Sequence, residues 1–362
     1  MTSTTERIAV LGTGLIGTSI AMAAARVGCT VSGWDVEDAV AARAGERAMF
    51  EPSSSLEAAV DRADVVVIST PIAAIADLLG RTLEAAPTAV VTDAASIKDA
   101  VAGITLPPSD AARFVPGHPM GGSERSGPEH ASASLVDDIM WVLTPTPVSD
   151  PAQVERLAGW ITRIGARVVQ MTPQRHDRLV AFVSHLPQVA STALMALAAT
   201  EESDEPEILM LAAGGFRDLT RLASSDPALW SEILRANAGP ITGALDLYID
   251  RLTSLRRTIA EADADAIERV FLFAKTARLK LAAKPKVRAG VAVLQVPIPD
   301  QPGALARLTA ALGTVEVNIE DLQLVHSPEG GRGTVHLTIA AADAESASTI
   351  LTGADFDPIR LA

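Results

Sequence analysis

The chain has 362 residues, two to three times a typical domain of about 150, and its 48% hydrophobic against 20% charged content places it among folded globular proteins. Thirty basic against 44 acidic residues leave a net charge of −14, a field that repels polyanions and excludes nucleic acid as a partner. The single cysteine, Cys29, rules out an internal disulfide and a multi-cysteine metal site; since the opening stretch also lacks a basic segment before an apolar run, a cytoplasmic protein with no metal centre is expected.

Along the first part of the chain, β-branched runs at 8–11, 30–34, 65–69, 89–92, 113–115, 140–143 and 167–171 alternate with alanine-rich stretches of helical spacing. That alternation predicts an α/β fold, a Rossmann-like doubly wound parallel sheet over residues 1–172. From 174 to 281 the apolar residues recur at helical spacing, broken by the acidic stretch 201–207 and by Gly214-Gly215, which predicts an all-helical substrate and dimerisation domain at 173–286. Residues 179–200 carry no Asp, Glu, Lys or Arg, and are numerous enough to span a bilayer. Their polar residues and many alanines argue against a membrane partner. They predict instead a helix buried on all sides within protein, as between the two subunits of a homodimer. After Lys284-Pro285-Lys286, strand signals at 291–296, 317–325 and 334–339 with helical stretches at 304–312 and 344–351 predict a small α/β domain at 289–362.

Gly12, Gly14 and Gly17 form a GxGxxG directly after the first β-run, with Leu15 and Ile16 opening the helical stretch that follows. Strand, glycine loop and helix in that order set backbone N–H groups and the positive end of a helix against a pyrophosphate. Asp35 follows Gly17 by eighteen residues, just past the second run. A carboxylate there binds the ribose hydroxyls and repels a 2′-phosphate, so NAD is expected rather than NADP. Thr70-Pro71 ends the third run, either as the nicotinamide side of the crevice or as an ordinary turn.

Three polar clusters sit in apolar surroundings. Ser96, after the run 89–92, is placed for a substrate contact or for a helix N-cap. His118, flanked by Pro116 and Pro119 and followed by Gly121-Gly122, is either a base that accepts a hydroxyl proton as hydride leaves the same carbon, or a structural histidine. In the helical region Ser184, His185 and Gln188 are followed by Gly214, Arg221 and Trp230. The guanidinium of Arg221 matches a substrate carboxylate, or pairs internally with Asp218; Trp230 taken alone is core packing.

Five ordered segments, GTGLIG from Gly12, TDAASIKD from Thr92, GHPMGGSERSG from Gly117, HDRLVAFVSHLP from His176 and GGFRDLTRLASSDPALW from Gly214, resemble the prephenate/arogenate dehydrogenase family (TyrA type) of tyrosine biosynthesis. The resemblance implies an NAD-dependent oxidative decarboxylation. His118 then accepts the hydrogen bond of the ring hydroxyl, Ser96 assists it, and Arg221 holds a substrate carboxylate in a pocket lined by Trp230. Ser123 and Glu124 fall where relatives gate that pocket. Gln188 stands where some prephenate-active members carry a second histidine, so prephenate and arogenate both remain open as the small-molecule substrate. The β-hydroxyacid dehydrogenases share this layout but rely on a helical-region lysine, and there is no lysine between Lys98 and Lys275. The tail resembles an ACT domain, with Asp300, Gly303 and Asn318 as candidate contacts for a tyrosine effector, or with a purely assembling role.

Overall fold

The computed structural model describes residues 5–121, 125–205, 207–282, 291–299, 301–315, 317–326 and 332–361. The chain divides into two compact units, one made of Met1–Leu211 with Arg217–Asp250, the other of Ala212–Phe216 with Arg251–Ala362.

In the first unit, β1 (Arg7–Leu11), α1 (Leu15–Arg26), β2 (Thr30–Trp34), α2 (Asp38–Ala48), α3 (Leu56–Val60), β3 (Val65–Ile68), α4 (Ile72–Ala85) and β4 (Val90–Asp93) alternate strand with helix. The four strands pair in parallel in the order β2-β1-β3-β4. Residues 8–11 of β1 and all of β3 are fully buried, as a parallel strand covered on both faces requires. Ile20 and Ala24 of α1 cover one face; Leu56 of α3 and Ile75 and Leu79 of α4 cover the other. The chain reverses its winding between β1 and β3, which leaves a crevice beyond their carboxyl ends.

The chain continues through α5 (Asp99–Ala102), α6 (Pro108–Ala111), β5 (Gly117–Pro119), β6 (Met140–Leu143), α7 (Pro151–Arg163) and β7 (Arg167–Gln170), with a second sheet in the order β5-β6-β7. Here the structure corrects two expectations. The run 113–115 is no strand: only Phe114 bridges to Val91, and the strand forms at Gly117–Pro119, around His118. Nor is the sheet parallel throughout, because β5 runs antiparallel to β6. The physical reason is a set of buried polar groups: Asp93 Oδ2 accepts from Gly117 N at 3.2 Å while Lys98 Nζ donates to Gly117 O. Together they draw the chain across the end of β4.

The helical half consists of α8 (Pro173–Val180), a π-helical turn (Ala181–His185), α9 (Leu186–Glu201), α10 (Glu207–Met210), α11 (Gly214–Thr220), a 3₁₀ turn (Arg221–Ser224), α12 (Pro227–Ala236), α13 (Ala238–Ala260) and α14 (Ala264–Ala282). Pro187 lacks an N–H and its ring crowds the carbonyl four residues back, so the ladder slips into the π turn just before it. The segment Pro173–Glu201 is long and apolar enough to cross a membrane by length and composition. The expectation that it is buried on all sides is not met within the chain: only 28% of its apolar window is covered. His185, Gln188 and Ser191 face inward, while Phe182, Val183 and Leu197 are exposed because one copy covers one face of a helix.

The second unit holds the end of α13 and all of α14, and within it β8 (Val291–Pro299), α15 (Ala304–Gly313), β9 (Ile319–His326), β10 (Arg332–Ala340), α16 (Ala344–Gly353) and β11 (Ile359–Leu361) form an antiparallel sheet, β11-β8-β10-β9, with two helices. Burial alternates along β8 and β10, and Leu294, Val296, Val335 and Leu337 pack against Leu308 and Leu312 of α15 and Leu351 of α16. Gly303 adopts φ +85° at the start of α15, and Asn318 directly precedes β9. Asp300 and the linker Lys284-Pro285-Lys286 lie outside the described residues.

Candidate active site

The crevice between β1 and β3 is shaped by backbone. Gly12 has φ +86°, and a Cβ there would lie 2.4 Å from Ser69 O; a Cβ on Gly17 would lie 2.0 Å from Gly12 O. Neither position tolerates a side chain. Gly14, by contrast, faces open space, with nothing within 4 Å of its Cβ position, and no side chain caps the helix that starts after it. The N–H groups of the first turn of α1, from Leu15 and Ile16 onward, therefore lack a helical partner at an open crevice, an arrangement that fits a pyrophosphate. At the end of β2, Asp35 Oδ2 accepts from Thr13 N at 2.7 Å and Oδ1 from Glu37 N at 3.1 Å, which fixes the carboxylate beside the loop. The loop after β3 closes the other side: the Thr70 methyl lies against Gly12, its hydroxyl is buried with no hydrogen-bond partner among the described residues, and Pro71 starts α4. An orphaned hydroxyl at the crevice wall is one a bound ligand can satisfy.

His118 lies on β5 beyond the carboxyl end of β4. Its Nδ1 is 2.9 Å from His176 Nε2, and the rings meet edge to face. His176 Nδ1 in turn lies 2.7 Å from Asp177 Oδ1. The two carboxyl oxygens of Asp177 also accept from Lys98 N and Asp99 N, both at 2.8 Å, so the start of α5 is bound to α8. Beneath this relay Lys98 and Asp93 form a fully buried ion pair. Burial raises the Asp93 carboxyl and lowers the Lys98 ammonium, each opposed by the charge of the other. Burial, with further contributions from His176, Lys98 and His185, holds His118 well below its ordinary value, so its imidazole is neutral at pH 7. Nε2 of His118 makes no hydrogen bond among the described residues. Ser96, in the loop between β4 and α5, is half-buried and caps no helix; the partner of His118 in the structure is His176, not Ser96.

The helical wall is tied to this centre by hydrogen bonds between distant residues. His185 is buried at the end of the π turn, with Nδ1 3.1 Å from Asn237 Nδ2 and its ring edge to face with Trp230. Burial brings His185 down to about 4, against the pull of Asp177. Asn237 Nδ2 also donates to Asp177 O at 3.0 Å. Gln188 is occupied by the turn that carries Arg221: its Nε2 donates to Leu222 O at 2.7 Å, and its Oε1 accepts from Ser225 at 3.3 Å. Two residues past Trp230, Glu232 accepts from Ala73 N at 2.7 Å, which docks α12 on the start of α4 beside Thr70-Pro71. Ser184 is half-buried in the π turn, Gly214 begins α11 in the other compact unit, and Ser123 and Glu124 lie outside the described residues.

Sequence reasoning singled out His118 but not its dependence on His176 and Asp177, nor the Lys98–Asp93 pair below it. Signals existed for both. His176-Asp177 is an adjacent acid and imidazole just ahead of a charge-free stretch, and Lys98 is the one lysine before position 275, in a stretch whose other basic side chains are arginine and histidine.

Two family models match the chain: the prephenate dehydrogenase nucleotide-binding domain over residues 20–170 and the prephenate dehydrogenase dimerization domain over residues 172–273. Prephenate dehydrogenase of Bacillus subtilis is 31% identical over 93% of this chain and 93% of its own length. Cyclohexadienyl dehydrogenase of Zymomonas mobilis is 32% identical over 78% of this chain and 98% of its own length. Among solved structures, arogenate dehydrogenase of Synechocystis superposes with a TM-score of 0.66 at 30% identity, over 76% of this chain and 99% of its own. Prephenate dehydrogenase of Aquifex aeolicus, in complex with hydroxyphenyl propionate and NAD+, superposes with a TM-score of 0.71 at 27% identity, over 78% of this chain and all of its own.

Proposed function

The chain belongs to the prephenate dehydrogenase family, and from that premise we propose that it catalyses the NAD-dependent oxidative decarboxylation of prephenate to 4-hydroxyphenylpyruvate in tyrosine biosynthesis. The observation that carries this reading is the neutral imidazole of His118, anchored through one nitrogen by His176 beyond the carboxyl end of β4.

Gly12, Gly14, Leu15, Ile16 and Gly17 would hold the pyrophosphate of NAD+, Asp35 its ribose hydroxyls and Thr70 and Pro71 its nicotinamide end; bound there, the cofactor would supply the hydride acceptor for the hydroxyl-bearing carbon of the ring. Arg221 holds a substrate carboxylate by a charge-assisted pair. Ser184, His185 and Trp230 complete the substrate side, with Gln188 setting the turn of Arg221; Ser123 and Glu124 gate the entrance. Ser96 orients the substrate hydroxyl toward His118. As hydride leaves, His118 takes the hydroxyl proton. The bond from the ring to its carboxylate then breaks, CO2 departs, and the electron pair left behind completes the aromatic ring. His118 returns the proton to the phenolate oxygen, so the products are NADH, CO2 and the phenol. General-base assistance of this type contributes about 100- to 10,000-fold.

Arogenate is the second reading. It is favoured by Gln188, whose amide is turned toward the Leu222 carbonyl and Ser225, and by arogenate and cyclohexadienyl dehydrogenases among the similar proteins. The division into a dinucleotide-binding domain at 1–172, a helical domain at 173–286 and an ACT-like domain at 289–362 belongs to the same proposal. Asp300, Gly303 and Asn318 there receive a tyrosine effector. The exposed apolar face of Phe182, Val183 and Leu197 is covered by a second copy in a cytoplasmic homodimer.

The test is to measure NADH and CO2 together, with prephenate and with arogenate, each with NAD and NADP. Equimolar NADH and CO2, with a higher kcat/KM for prephenate and NAD, is expected. NADH without CO2 returns the enzyme to simple hydroxyacid oxidation, and no turnover of either ring substrate overturns the reading.

A further inference from the structure

We infer that Asp177 sets opposite hydrogen-bond polarities on the two imidazoles of the cleft, making His118 an acceptor and His185 a donor at their respective Nε2 atoms, with His176 and Asn237 as the intermediaries. The inference deepens the proposed reaction and rests on His118 being its base.

The argument is one of donor and acceptor accounting. The carboxyl oxygens of Asp177 face the backbone N–H groups of Lys98 and Asp99, at 2.8 Å each, so the group acts as an acceptor. Its third partner, His176 Nδ1 at 2.7 Å, must therefore carry a proton. A neutral imidazole protonated at Nδ1 has a lone pair at Nε2. His118 Nδ1, 2.9 Å from that lone pair, must then donate, which leaves the Nε2 lone pair of His118 to accept. The carboxyl of Asp177 thus decides, across two imidazoles, that the ring facing the reaction is a base rather than an N–H donor.

The backbone of the same residue does the reverse for His185. Asp177 O accepts from Asn237 at 3.0 Å, and a carbonyl cannot donate, so the amide nitrogen and not its oxygen must face it. The same nitrogen is 3.1 Å from His185 Nδ1, which must accept. The neutral His185 ring then carries its proton on Nε2. One cleft wall in this way holds an acceptor and a donor, both neutral because burial holds both rings below their ordinary range. The charged and titratable groups acting on these rings are His176, Lys98 and His185 for His118, and Asp177 and His176 for His185. The polarity suits a substrate that presents a hydroxyl at one end and anionic oxygens elsewhere. His176, Asp177 and Asn237 act through other side chains and are positioning residues.

Two measurements test this. Nitrogen-15 NMR of the histidine-labelled full-length protein, at neutral pH without substrate, reads the tautomers directly. A proton on Nδ1 of His118 and on Nε2 of His185 is expected. A proton on Nε2 of His118, as an imidazolium at His176 would impose, overturns the inference. The second measurement compares His176→Gln, whose side-chain oxygen can still accept from His118, with His176→Leu, which cannot. The expected kcat loss is about tenfold for Gln and about 100-fold or more for Leu, with KM within about threefold in both. Equal losses in the two variants assign His176 to packing and overturn the inference. If the NMR pattern is found but the wild-type protein turns over neither prephenate nor arogenate, the reaction assignment fails while the polarity stands.

Discussion

The glycine-loop crevice and the histidine wall face the same end of the sheet but are built by different means. The crevice is a matter of backbone shape over a few neighbouring residues: a positive φ at Gly12, no room for a Cβ at Gly17, open space at Gly14. The wall depends on side chains that meet across long stretches of chain. His118 meets His176 from 58 residues away, Lys98 meets Asp177 from 79, and Glu232 meets Ala73 from 159. The comparison teaches that a cofactor site made of main chain can be legible as spacing, while a reaction site made of buried polar side chains takes its chemistry from partners that only folding supplies.

The most severe test of the wall is His118→Asn. It should lower kcat by about 100- to 10,000-fold with KM little changed. Steady-state kinetics with prephenate check this, and near-normal turnover would remove His118 from the mechanism. Acid should also discriminate between the two regions, because the wall holds neutral buried imidazoles. The unfolded chain takes up a proton at His185 near 6.5, whereas the folded chain resists until about 4. Stability is therefore lost as pH falls from about 6.5 toward 4, by about 3 kcal/mol from this residue. Denaturant titrations across that window should show the slope in the wild type and a flatter profile in His185→Gln; identical slopes would exonerate the wall.

Arg221→Gln should raise KM for the ring substrate by about 10- to 100-fold, the worth of a hydrogen bond to a charged group, with a smaller change in kcat. An unchanged KM would mean that the guanidinium serves the fold instead. The smallest expected effect sharpens the other side of the comparison. Gly14→Ala meets nothing within 4 Å in the protein, so the melting temperature should hold while the Kd for NAD rises about tenfold, as the new methyl enters the space of the pyrophosphate. Calorimetry reads both quantities, and a lowered melting temperature with unchanged NAD affinity would contradict an open crevice.

Much of the architecture was readable before any coordinates. The strands at 30–34 and 140–143 fall where the β-runs lie, and the region from 174 to 281 is helical in its described elements. The run 113–115 misled because its apolar residues fill the core without pairing as a strand, while the actual strand is the short, proline-flanked piece around His118 that propensity disfavours. The charge-free helix reports a need for cover on all sides, and one copy of the chain covers only the face of His185 and Gln188. Nor did the sequence show that the amide of Gln188 is hydrogen-bonded to Leu222 and Ser225, on the turn that carries Arg221.

The amino-acid sequence by itself determined the shape of the glycine crevice, because a tight turn depends on which residues lack a Cβ and those residues are neighbours in the chain, and it singled out the imidazole of His118. Tertiary structure alone decided what that imidazole can do. Its protonation state and direction follow from His176, Asp177 and Lys98, groups brought together in a buried place where each donor must find an acceptor.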